Sequence, residues 1–181
     1  VLEDNFGNRR TYQFIVKGKR QDIPEYKPEA NEMLYWNRTN VIQKPGMELV
    51  VPRYHVYENV PLRTDMRGDS SRIAFDYILD AGRTPIHSYC DLSIGLRHMP
   101  VADTTKYYIV QKAGKWRSSM GGKYASGWIK TRVRSLGTFS VDVDTIAPQI
   151  TPIGQGGWRT SRNIRFRIKD MESGIGSYKV Y

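Results

Sequence analysis

Gly127-Trp128-Ile129-Lys130-Thr131-Arg132-Val133-Arg134-Ser135-Leu136-Gly137-Thr138-Phe139-Ser140-Val141-Asp142-Val143-Asp144-Thr145-Ile146-Ala147-Pro148-Gln149-Ile150 alternates twice. In the first run Ile129, Thr131 and Val133 point one way, while Lys130, Arg132 and Arg134 point the other. That is the period of a strand buried on one face. Ser135-Leu136-Gly137 interrupts it, and Phe139, Val141 and Val143 then alternate with Thr138, Ser140 and Asp142. Pro148 has no N–H to donate and biases Ala147 to an extended conformation, which suits a joint or a first edge strand. One β-module closes near Val143 and another opens at Asp144.

The same punctuation recurs at both ends. Asp4-Asn5-Phe6-Gly7-Asn8 reads as a turn before an alternating strand through Tyr12, Phe14 and Val16. Ile164, Phe166 and Ile168 read as a strand leading into Asp170-Met171-Glu172-Ser173-Gly174-Ile175, with a further strand through Ile175, Tyr178 and Val180. Together, these aspartate-opened joints resemble the bacterial immunoglobulin-like repeats of envelope proteins. A longer match follows one order. Met47-Glu48-Leu49-Val50-Val51-Pro52, Pro85-Ile86-His87-Ser88-Tyr89 with Leu92-Ser93-Ile94, and Gly121-Gly122-Lys123-Tyr124 through Pro148 resemble the region after the catalytic domain in Bacteroidota zinc metallopeptidases of the lysostaphin/LytM type. The likeness is to the accessory β-domains of those cell-wall endopeptidases. It implies sandwich modules in a cell-envelope protein, periplasmic, outer-membrane associated or secreted, whose hydrolase domain lies outside these 181 residues.

The expected architecture is therefore all-β: antiparallel immunoglobulin-like β-sandwich modules in tandem, with incomplete end modules. Residues 1–22 are the closing strand of a preceding module with its linker, 23–143 a complete sandwich, and 144–181 the opening strands of a further module. Ile23-Pro24-Glu25-Tyr26-Lys27-Pro28 is an extended, Pro-bearing linker. In the middle module a short strand lies near Met33–Trp36. Lys44-Pro45-Gly46 is a turn, and Met47, Leu49 and Val51 alternate up to Pro52. Pro61 closes the next segment. Ile73, Phe75, Tyr77 and Leu79 form the clearest strand, followed by Cys90–Leu96 and Lys106–Gln111. Residues 118–127 read as a Ser/Gly loop. The predicted core joins Ile73, Phe75, Tyr77, Leu92, Ile94, Leu96, Phe139 and Val141. No helical period is sustained, and the spacing of short strands and turns suits a sandwich.

Composition supports this. The chain is 39% hydrophobic, enough for strands that bury one face, and its twelve Tyr and four Trp suit sheets. No run approaches a transmembrane span and no signal peptide is present. The chain starts at Val1 almost directly in strand-like sequence, and reads as a fragment of a longer polypeptide. Cys90 is the only cysteine, so no intrachain disulfide forms; its place in an alternating run makes it a small core residue. The formal charge of +10 is spread along the chain, and attracts anionic polymers generally.

No catalytic constellation is present. A LytM-type zinc site needs His-x-x-x-Asp and a distant His-x-His. His87-Ser88-Tyr89-Cys90-Asp91 supplies the first, but only His55 and His98 remain and no His-x-His exists. Within one strand, His87 and Asp91 would stand roughly 13 Å apart, too far for one ion. His98 reads as a loop residue, and His55 lies in a strand-like segment beside Tyr54 and Tyr57. Arg67-Gly68-Asp69 reads as a turn rather than an adhesion signal. Asp4, Asp144 and Asp170 read as turn caps rather than calcium ligands, since no joint concentrates the six to eight oxygens calcium needs.

Two basic rows are the candidate binding residues: Trp128, Lys130, Arg132 and Arg134, and Arg165, Arg167 and Lys169. Cations beside an aromatic can hold a glycan or phosphate polymer, and they also blunt sheet edges against aggregation. The expectation is a non-catalytic segment with no cofactor and no metal. It would position a hydrolase or contact envelope polymers. Its partners would be the rest of the parent polypeptide or neighbouring envelope subunits, with peptidoglycan or an anionic envelope polymer as ligand and nucleic acid not expected. A structural subunit of an envelope assembly, or a surface adhesin or glycan-binding module, are the alternatives.

Overall fold

Pairing with a buried strand turns the Trp128 alternation into structure. In the computed structural model, which describes residues 1–15, 17, 18, 29–69, 71–170, 172–175 and 177–180, Ile129 and Val133 are buried while Lys130 and Arg132 are exposed. The strands run β1 (Leu2–Glu3), β2 (Arg9–Arg10), β3 (Glu32–Leu34), β4 (Asn40–Lys44), β5 (Met47–Val51), β6 (Val60–Arg67), β7 (Asp76–Asp80) and β8 (Cys90–Gly95). They continue with β9 (Tyr107–Ala113), β10 (Trp116–Ser119), β11 (Lys123–Ala125), β12 (Trp128–Val133), β13 (Gly137–Val143), β14 (Gln149–Ile153) and β15 (Arg165–Lys169). Every pairing is antiparallel. The fold is all-β; among the described residues only two single 3₁₀ turns interrupt the strands.

Two sheets form a sandwich-like body. The six-stranded sheet has the order β10-β9-β13-β7-β6-β3, and the five-stranded sheet the order β11-β12-β8-β5-β4. Leu62, Tyr77, Leu79, Ile109 and Phe139 from the first meet Met47, Leu49, Leu92, Ile94 and Ile129 from the second in one core. Each such side chain contributes about 1.5–3 kcal/mol by leaving water. Of the predicted core, Tyr77, Leu92, Ile94, Phe139 and Val141 are buried; Ile73, Phe75 and Leu96 are half-buried and pack against it. Cys90 is buried as expected.

Several strand expectations differ from the structure. Ile73 and Phe75 precede β7 rather than lying in it. Arg97 N–H donates to the Ile73 carbonyl (2.8 Å) and the Ser140 hydroxyl to the Phe75 carbonyl (3.1 Å), so ladder pairing begins only afterwards. Pro61 does not close its segment but lies inside β6. There only β3 pairs with β6, because pairing with β7 starts at Arg63, so no ladder bond on the β7 side needs the missing N–H. Residues 118–127 are not a plain loop: β10 ends there in one sheet and β11 begins in the other. Gly122 makes the crossing, with φ +147° and a position where a Cβ would stand 2.5 Å from Ile129 Cγ2. β4 had no clear signal, because Asn40 and Gln43 dilute its pattern.

At the ends, β1 pairs with β2 and β14 with β15. Tyr12 and Phe14, expected in a strand, pair with no strand among the described residues and, with Ile15, are largely exposed. Val16 and the linker 23–28 fall outside the described residues, as do Met171 and Ser70. β15 (Arg165–Lys169) covers the predicted run except Ile164, which lies just before it. The strand expected through Ile175, Tyr178 and Val180 is not seen among the described residues, where these three side chains are exposed.

Candidate binding face

On the outer face of the five-stranded sheet, register aligns side chains across the strands. Lys130 stands between Lys123 of β11 and Ser93 of β8, and Ser93 is opposite Glu48 of β5. Arg132 is opposite Asp91, and Asp91 opposite Val50. Trp128 is opposite Gly95. A Cβ on Gly95 would lie 3.6 Å from the fused-ring atoms of Trp128, so the indole packs over a bare stretch of backbone. Glu48, Ser93, Trp128 and Lys130 line a hollow of about 190 Å³. A larger one of about 650 Å³ beside it is bounded by Lys123, Lys130, Arg132, Glu48 and Asp91.

These charges are not spent on one another. Lys123 and Lys130 make no ion pair among the described residues. Glu48 accepts from Gln43 Nε2 at 2.8 Å, and the Arg132 guanidinium lies 5.5 Å from the Tyr89 ring centroid. Arg134 falls one residue past β12, in the bend before Gly137, and so leaves the row. The bend is fixed by Gln111, whose Nε2 donates to the Leu136 carbonyl at 3.0 Å. The second row, Arg165, Arg167 and Lys169, is exposed on β15, opposite Ile153, Thr151 and Gln149. No hydrogen bond or ion pair among the described residues joins it to the first.

The remaining candidates are placed as follows. His87 lies in a bend before β8, and its Nδ1 shares a 3.0 Å hydrogen bond with the Tyr57 hydroxyl. Asp91 is on the outer face of β8. No three His, Cys, Asp or Glu side chains come close enough to hold a metal ion among the described residues. His55 sits in the β5–β6 turn rather than a strand, and His98 in a loop. Burial, with the Asp91 charge second, pushes the Cys90 thiol up to about 11. Arg67 ends β6, Gly68 (φ +133°) and Asp69 follow it without a turn, and the next described turn residue is Ser71, so the turn expected at Arg67-Gly68-Asp69 does not fall on those three residues.

The three joint aspartates cap turns. Asp4 Oδ1 accepts from the N–H groups of Phe6 and Asn8 (2.9 Å each), and Asp170 Oδ1 from those of Glu172 (2.8 Å) and Gly174 (3.0 Å). Asp144 Oδ1 accepts from Ile146 N–H at 3.1 Å while Oδ2 takes the Ser173 hydroxyl. Asp144 N–H donates to the Lys106 carbonyl at 2.9 Å, tying this joint to the sandwich.

One cluster escaped the sequence reading: Trp36, expected at the end of a strand near Met33–Trp36, lies past β3 in a turn, and Tyr54 lies in another, where no period marks their contact. Trp36 and Tyr54, from the β3–β4 and β5–β6 turns, have ring centroids 5.8 Å apart and are tilted by 42°. Tyr54 adopts φ +66°, left-handed for a bulky residue, and its N–H donates to the Trp36 carbonyl at 2.7 Å. Buried Asn40 holds the first turn, accepting from Tyr35 N–H (2.8 Å) and donating to the Tyr35 and Arg38 carbonyls. Arg38 stacks on Tyr35 (3.8 Å) and Arg53 on Tyr54 (5.5 Å). His87 N–H reaches the His55 carbonyl at 2.8 Å, bringing the β7–β8 segment to the same end. The available signal was aromatic density: Tyr35-Trp36 and Arg53-Tyr54-His55-Val56-Tyr57.

Residues 31–144 match the family model described as the Zu5-like domain. No curated protein and no solved structure matches the chain.

Proposed function

The chain belongs to the Zu5-like domain family through residues 31–144, and from its fold and surface we propose a non-catalytic binding and positioning module of a cell-envelope protein. Its ligand is peptidoglycan or an anionic envelope polymer, held on the outer face of the five-stranded sheet. The carrying observation is the grouping of the Trp128 indole with Lys130, Lys123 and Arg132 around adjoining hollows. The indole offers a flat apolar surface to a sugar ring. The cations meet carboxylate or phosphate, while Glu48 and Asp91 suit amines and hydroxyls. The likeness to LytM-type accessory domains supports an envelope location, with the hydrolase it positions elsewhere in the parent protein. In that reading the end pairs β1–β2 and β14–β15 belong to flanking immunoglobulin-like modules.

A second reading is a structural subunit completed by a neighbour's strands. It is favoured by the open apolar side of β14–β15, where Ile150 is 65% and Phe166 49% exposed.

Incubation with purified peptidoglycan sacculi tests the first reading. The chain should sediment with them and release no soluble fragments. Retention should fall in Trp128→Ala and in a Lys130→Ala/Arg132→Ala double variant. Fragment release by the pure chain would overturn the non-catalytic assignment, and undiminished retention of both variants would mean that this face does not hold the ligand.

A further inference from the structure

The turns at one end of the sandwich carry a second built surface, independent of the Trp128 face. We propose that Trp36, Tyr54, Tyr57, Arg53 and Arg83 form a subsite for an acidic glycan whose sugar rings bear carboxylates.

Tyr54 is the first observation. A bulky residue in the left-handed region costs about 1–3 kcal/mol, and such strain persists where the surroundings over-determine it. Here the 2.7 Å bond to the Trp36 carbonyl and the contact between the two rings hold it, yet Tyr54 is 55% and Trp36 44% exposed. The strain thus displays two aromatic rings to solvent rather than burying them. Buried Asn40 fixes the backbone beneath Trp36, so the display is rigid before any ligand arrives.

The second observation is shape. Tyr57 stands at the rim of a cleft of about 410 Å³ between the β5–β6 and β7–β8 segments, lined also by Glu58, Asn59, Gly82, Arg83 and Pro85. That volume suits a small ligand or one end of a chain. Tyr57 is held edge-on by His87, with centroids 5.9 Å apart and an interplanar angle of 86°.

Charge is the third. Arg38, Arg53 and Arg83 form no ion pair among the described residues. A guanidinium stacked on tyrosine keeps its N–H edge free to fork onto a carboxylate. Glu58 is the single acid lining the cleft and can accept a sugar hydroxyl. Aromatic faces for pyranose rings, free guanidinium edges for carboxylates and a cleft of this size together select an acidic sugar. A neutral sugar would leave the cations unused, and a carboxylate without rings would leave the aromatics unused.

Calorimetric titration of the intact chain with galacturonate oligomers of four to six sugars tests this. Binding should be saturable and at least about tenfold weaker in Trp36→Ala and in Arg53→Gln, and unchanged in Trp116→Ala, a distant exposed tryptophan. Neutral cello-oligomers of equal length should bind at least about tenfold more weakly. The thermal midpoint of each variant separates lost binding from lost folding, and Arg53→Gln, an exposed polar swap, keeps the test open if Trp36→Ala unfolds. No saturable binding of the oligogalacturonate, equal binding by both variants, or equally tight binding of poly-glutamate would overturn the proposal. Each of these outcomes is independent of sacculus binding by the Trp128 face.

Discussion

The Tyr77 hydroxyl donates to the Pro45 carbonyl at 2.7 Å, linking the six-stranded sheet to the β4–β5 turn of the five-stranded one. Tyr77 is almost fully buried, and Gly46 beside it has φ +78°. A Cβ on Gly46 would stand 2.6 Å from the hydroxyl. Tyr77→Phe leaves a carbonyl without its partner and should cost about 1–3 kcal/mol in urea unfolding. Gly46→Ala should cost more, through both strain and collision. The double variant should lose less than the sum, because removing the hydroxyl removes the collision. Strict additivity would mean that the two sites do not touch.

Core truncations should rank by burial. Phe139 is fully buried, so Phe139→Ala should cost about 3–5 kcal/mol. Phe75 is half-buried, packed edge-on against Tyr77 with the Arg97 guanidinium 4.1 Å from its centroid. Phe75→Ala should therefore cost clearly less. Denaturation midpoints in the reverse order would place the core elsewhere.

Strands with strict alternation over a buried sheet were legible: β5, β8, β12 and β13 sit where the sequence puts them. What the pattern could not show is where a ladder starts. Ile73 and Phe75 keep the alternation but are diverted into bonds with Arg97 and Ser140, and Tyr12 and Phe14 alternate without a paired strand among the described residues. Ser140 looks solvent-facing by period, yet is buried because its hydroxyl finds the Phe75 carbonyl. At the candidate site, Trp128, Lys130 and Arg132 were legible as one face. Their neighbours Lys123, Ser93 and Glu48 come from other strands, and only register brings them together. The Trp36–Tyr54 contact joins two turns and has no periodic trace at all.

The joint at Asp144 should respond to acid. The Ser173 hydroxyl first, then the Ile146 N–H, hold its carboxyl below the usual carboxylate range. A depressed group contributes stability at neutral pH that is lost as pH falls through its folded value. The Ile146 and Ser173 amides should therefore lose protection below about pH 4, after correction for intrinsic exchange. Asp144→Ala should lack that protection at every pH. A pH-independent joint in the unaltered chain would contradict the hydrogen-bond assignment.

Cys90 should be inert while folded. Burial and the neighbouring Asp91 raise its thiol to about 11, so little thiolate exists at pH 8. A thiol reagent should label it only at the rate of unfolding, and rapidly in urea. Fast labelling under native conditions would place Cys90 outside the core.

Amide shift mapping during titration with solubilised peptidoglycan strands locates the ligand on one sheet or the other. Saturating shifts should concentrate at Ser93, Lys123, Trp128, Lys130 and Arg132, with the Trp128 indole N–H among the largest and little change along β6 and β7 of the opposite sheet. Shifts confined to the opposite sheet, or no saturating shifts at all, would contradict binding on the five-stranded sheet.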